Sequence, residues 1–90
     1  MARFDPMAYD VTSFEPSPAP SGDAFLQLGM AYSTGREGAA DLISAHKWFN
    51  LAAARGNREA LRYRQEIAAE MSEAQIAEAQ RAAREWLQTH

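Results

Sequence analysis

Ninety residues, no cysteine and a net charge of −3 bound what this chain can be. The length allows one small domain with an economical core, and the lack of cysteine excludes both a disulfide framework and thiolate chemistry. The charge is unevenly placed: Asp5, Asp10, Glu15 and Asp23 stand against Arg3 alone up to residue 23, whereas from Ala24 onward acids and bases balance. An acidic leader followed by a neutral body offers no basic face for phosphate neutralisation, which argues against nucleic acid as a partner.

Residues 1–22 hold all four prolines, Pro6, Pro16, Pro18 and Pro20. Pro16-Ser17-Pro18-Ala19-Pro20-Ser21-Gly22 reads as an extended, polyproline-like linker in which no helix forms. A plain solvated leader would account for it. Yet Phe4, Met7, Tyr9, Val11 and Phe14 are more apolar side chains than a spacer needs, separated so that an extended strand can lay several of them into a groove. Ordering such an arm costs about 1 to 2 kcal/mol of backbone entropy per residue, and each buried aromatic returns only about 1.5 to 3 kcal/mol. Phe4, Tyr9 and Phe14 are therefore too few to order the whole arm on one small domain. The isolated arm is expected to stay mobile and to find its surface on a larger partner, with these three as anchors.

Residues 23–90 read as an all-α domain. In Ala24-Phe25-Leu26-Gln27-Leu28-Gly29-Met30-Ala31-Tyr32, Ala24, Leu28 and Tyr32 recur at four-residue steps, and Gly29 permits the close approach of a bulky side chain. Asp41 then suits an N-cap and Gly56 a left-handed C-terminal position, so one helix is expected between them. Its apolar stripe is Leu42, Ala45, Trp48, Phe49, Ala52 and Ala53. The two segments form a helical hairpin in which Trp48 is expected against Leu28, Gly29 and Tyr32.

Ala24, Leu28-Gly29, Tyr32, Gly35, Asp41, Ala45, Trp48-Phe49, Ala52-Ala53 and Gly56 follow the order and spacing of the Sel1-like repeat, a relative of the tetratricopeptide repeat. This segment resembles one full unit of that family. It departs in the loop, where Gly35-Arg36-Glu37-Gly38 lacks a second glycine two residues after the first. A second unit starts at Ala60, 36 residues after Ala24, but is degenerate: Arg64 stands where Leu28 would recur and Ala68 where Tyr32 would. The resemblance implies a helical scaffold that presents a face to a partner protein and does no chemistry.

Beyond Gly56, Asn57 can cap a third helix over about 58–70 that turns Ala60, Tyr63, Ile67 and Met71 inward. Ser72-Glu73-Ala74-Gln75 has the capping-box pattern and opens a fourth, with Ile76, Ala79, Ala83, Trp86 and Leu87 as its stripe. Four helices in two antiparallel hairpins follow, about one and a half repeats. Helical-repeat units bury their faces only against neighbours, and about three are usually needed for stability. Trp86 and Leu87 are expected to close the far end of this short stack. The outer face of the first helix is then left to the arm or to a partner.

Titratable chemistry is sparse. His46 and His90 are the only histidines, and without a His-x-x-x-His or clustered carboxylate pattern no metal site is expected. His46 reads as an exposed or half-buried spacer. None of Ser13, Ser17, Ser21, Ser33, Ser44 and Ser72 lies in a nucleophile elbow, and Gly35-Arg36-Glu37-Gly38 lacks the lysine and strand of a phosphate loop. Tyr32, Trp48, Phe49 and Trp86 read as core at helical spacing. No catalytic residue, cofactor or metal ligand is assigned.

The expected function is a non-catalytic protein-interaction module or adaptor; the alternative is a small accessory subunit held permanently in a larger, even membrane-associated, complex. With no basic-then-apolar leader in residues 1–25 and no run of 18 apolar residues, the expected location is the cytoplasm, without direct membrane insertion.

Overall fold

The computed structural model describes residues 21–36 and 38–90. Among these residues there are four helices: α1 (Gly22–Thr34), α2 (Leu42–Ala54), α3 (Glu59–Ala68) and α4 (Glu73–Thr89). No strand occurs among the described residues. The arm, with the proposed anchors Phe4, Tyr9 and Phe14, lies outside them.

Side chains that satisfy orphan backbone groups set the helix ends. Ser21 Oγ accepts the Ala24 N–H at 3.2 Å, and Asp41 accepts both the Ser44 N–H at 3.0 Å and the Ser44 hydroxyl at 2.8 Å. Asn57 Oδ1 accepts the Ala60 N–H at 3.0 Å at the start of α3. Ser72 and Gln75 form the full reciprocal box: Gln75 N–H donates to Ser72 Oγ at 3.1 Å and Ser72 N–H to Gln75 Oε1 at 2.9 Å. Gly35 ends α1 at φ +72°, where a Cβ would also sit 2.7 Å from the Gly38 carbonyl oxygen. Gly56 leaves α2 at φ +93°.

α1 and α2 run antiparallel as a hairpin. At one end Asn57 Nδ2 donates to Asp23 Oδ1 at 2.9 Å, and at the other Asp41 N–H donates to the Tyr32 carbonyl at 2.9 Å. The second half does not repeat this arrangement. α2 is the hub, and α1, α3 and α4 all pack along it, while α3 and α4 splay from each other. Two equivalent hairpins are thus replaced by three helices around one. The sequence of α2 explains why: Ala45, Phe49, Leu51 and Ala52 are buried at positions spread widely around its circumference.

The core is Phe25, Ala45, Phe49, Leu51, Ala52, Ala60 and Ala83, with Leu26, Met30, Trp48, Ala53, Tyr63, Ile67 and Trp86 half-buried against it. Among the described residues only Phe25, Phe49 and Leu51 are large side chains buried completely. Alanine supplies most of the other buried contacts, so backbones approach closely and each helix contributes little apolar volume.

Several inward assignments change. Leu28 and Tyr32 are 40 and 38% exposed, and Phe25 and Gly29 take the inward positions of α1. Leu87 is 46% exposed, so Trp86 alone closes the end of α4 against the core. Ala60 is fully buried whereas Ala24 is exposed, so residues 36 apart do not occupy equivalent places.

Candidate interaction surface

Two side chains of α2 decide how α1 is rotated. Phe49 stands directly over Gly29, where a Cβ would lie 2.5 Å from its ring, and its other side stacks on Tyr63 of α3 with centroids 5.6 Å apart. Trp48, expected against Gly29, instead stacks on Phe25 at 5.4 Å and meets Trp86 edge-on at 5.9 Å. Phe25 and Trp86 complete the triangle at 5.2 Å with planes at 88°. Offset and edge-to-face pairs of this kind add to simple burial, and here they join α1, α2 and α4. Lys47 Nζ sits 4.5 Å from the centre of the Trp48 ring.

With Phe25 and Gly29 turned toward α2, Ala24, Leu28 and Tyr32 form a line of exposed apolar side chains along α1. The structure keeps the three residues together, as their spacing requires, but on the solvent side. Ala45 and Ala52 are buried, Gly35 and Gly56 have positive φ, and Trp86 is half-buried.

Comparison with protein-family models, with curated proteins and with solved structures returned no match. The surface is accordingly read from its own chemistry.

One open cleft of about 530 Å³ lies between the α1–α2 loop and the α3–α4 turn, lined by Ala39, Ala40, Asp41, Leu42, Ile43, Glu70 and Gln75. Two of its polar side chains are already engaged: Asp41 caps α2, and the hydrogen bonds from Ser44 hold its carboxyl below the ordinary value of 3.8, while Gln75 belongs to the α4 cap. Among the described residues no three His, Cys, Asp or Glu side chains converge to hold a metal ion, and no helix is long and apolar enough to cross a membrane.

His46 was missed as a core residue. It is 2% exposed, and its Nδ1 has no hydrogen-bond partner. Nearby, Arg64 of α3 donates to Asn50 Oδ1. Burial first, and then the charge of Arg64, lower the His46 pKa from its ordinary 6.5. Because the folded value lies below the unfolded one, the stability that depends on neutral His46 is complete above pH 6.5 and is lost as the pH falls toward the folded value. Asp41 contributes in a separate window, below 3.8. Thermal melting is therefore expected to move down between pH 7 and 5 in the wild type and to be flatter in His46→Gln. Parallel pH profiles for the two chains would contradict this assignment.

Proposed function

We propose that this chain is a non-catalytic protein-interaction module, an adaptor that takes a partner protein on the exposed stripe of α1 together with the N-terminal arm carrying Phe4, Tyr9 and Phe14. The observation that carries this reading is the outward placement of Leu28 and Tyr32 on an edge helix. Exposed apolar side chains in a line give a helix or an extended strand a surface on which to bury its own. The resemblance of residues 24–56 to a Sel1-like unit supports the same class of function, with the cytoplasm as the place of action. Nucleic acid is a poor fit to a chain of net charge −3, and no cofactor is invoked.

A second reading is a small accessory subunit bound permanently in a larger, even membrane-associated, multi-subunit complex. It is favoured by a core in which, among the described residues, three large side chains are fully buried, which gives a free domain little margin.

The test is affinity purification from native cells at endogenous level, comparing the wild type with Leu28→Ala/Tyr32→Ala. Both side chains lie on the exposed face of α1, so the double variant should keep its fold, within about 1 kcal/mol of wild-type stability. Partner recovery is expected to fall at least tenfold. Equal recovery by a folded variant would remove α1 as the interface. Dissociation of the wild type with a half-life of minutes would argue against the permanent subunit.

A further inference from the structure

The face of α2 that meets α3 carries the one buried side-chain polar atom without a hydrogen bond among the described residues, Nδ1 of His46. One turn further along the same face, Asn50 Oδ1 accepts a hydrogen bond from Arg64 of α3. We propose that α3 is a latch released by acid: when His46 takes a proton, α3 swings off the hub while α1, α2 and α4 stay packed together.

A neutral imidazole can sit in this dry interface, whereas an imidazolium is ill placed there. The cation carries an N–H on both ring nitrogens, and Nδ1 has no acceptor beside it. Arg64 adds a second positive charge, and among the described residues it is the one charged group that acts on His46. The other charged side chains of α3 and those of α4 are exposed, while on α1 Asp23 is tied to Asn57 and Tyr32 is exposed. On α2 itself Asp41 caps the helix and Lys47 lies over Trp48, and Tyr63 of α3 is stacked on Phe49. No carboxylate among these stands ready to pair with the imidazolium, and two like charges in a low-dielectric interface repel each other.

The strain is relieved by α3 and not by α2. His46 follows Ala45 on the hub helix, which the core holds from several sides, whereas α3 is the shortest of the four helices and packs extensively on α2 alone. The remaining helices hold together without it. Phe49 over Gly29 joins α1 to α2, and the rings of Phe25, Trp48 and Trp86 join both to α4. At its beginning α3 stays anchored, because Asn57 accepts the Ala60 N–H and donates to Asp23 of α1. The end that carries Arg64 and Ile67 is therefore the one that moves, and its departure uncovers Phe49 and Asn50.

Hydrogen–deuterium exchange of the full-length chain at pH 7 and pH 5, read by mass spectrometry and corrected for the intrinsic rate at each pH, tests the latch. Protection of the amides in residues 59–68 is expected to fall about tenfold at pH 5, within a ceiling of about 30-fold set by an ordinary histidine value of 6.5. Amides of α1, α2 and α4 should change less than twofold. In His46→Gln and His46→Phe, neither of which takes a proton in this range, α3 should be equally protected at both pH values, and either variant suffices if the other fails to fold. His90 is present in all three chains, so the difference between them belongs to His46. A parallel fall in all four helices of the wild type would make the acid transition global and overturn the latch, as would unchanged protection of α3. A fall in α3 that survives in a folded His46 variant would give the trigger to another group and overturn it equally.

Discussion

Gly29→Leu should leave the chain without a cooperative thermal transition, and Gly29→Ala alone should lower the melting temperature. A glycine inside a helix normally costs about 1 kcal/mol relative to alanine, so replacement at a free position would stabilise α1. Position 29 is not free. A Cβ there would lie 2.5 Å from two ring atoms of Phe49 and 3.0 Å from a third. The ring has no room to yield, since Phe49 is buried and stacked on Tyr63. Overpacking of this kind costs about 1 to 3 kcal/mol and outweighs the gain in helix propensity. For Gly29→Ala a net loss of about 1 kcal/mol corresponds to a melting temperature lower by roughly 4 to 8 °C in a domain of this size. Leucine adds three further carbon atoms to the same contact and forces α1 off α2. Circular dichroism melts of both variants decide the matter. A higher melting temperature for Gly29→Ala would mean that α1 is rotated, with Leu28 and Tyr32 inward.

Phe49→Ala should cost more than Trp48→Ala, although tryptophan is the larger residue. Phe49 is buried completely between Gly29 and Tyr63, and truncating such a phenylalanine costs about 3 to 5 kcal/mol. That is comparable with the whole stability of a domain this small. Trp48 is only half-buried, and part of its ring already meets solvent beside Lys47. Its loss removes the contacts with Phe25 and Trp86 and loosens α4, but water can enter the space left behind. Denaturant titration of the two variants should give little or no folded baseline for Phe49→Ala and a weakened but cooperative transition for Trp48→Ala. The reverse order would place Trp48, not Phe49, over Gly29.

The ends of the helices were largely legible in the sequence because capping is local. Asp41, Asn57 and the Ser72 to Gln75 box each satisfy backbone groups within three residues of themselves, and Gly35 and Gly56 meet conformations that other residues avoid. Sequence spacing alone also brought Ala24, Leu28 and Tyr32 into one line, and it separated an acidic, proline-rich arm from a neutral helical body.

The rotation of α1 was decided only in three dimensions. Its sequence offers two apolar lines, one through Ala24, Leu28 and Tyr32 and one through Phe25 and Gly29, with Leu26 and Met30 beside the second. A helix so widely apolar has no periodicity that says which line faces inward. The fit of the Phe49 ring over Gly29 chose, and it turned Leu28 and Tyr32 from core into candidate surface. His46 went the other way, because α2 is covered on several sides and a position that would be solvated on an ordinary amphipathic helix is closed here. The splay of α3 and α4 has the same origin. Local pattern determined that these residues form helices, whereas the shared hub, a property of non-local packing, determined which of their faces meets the solvent.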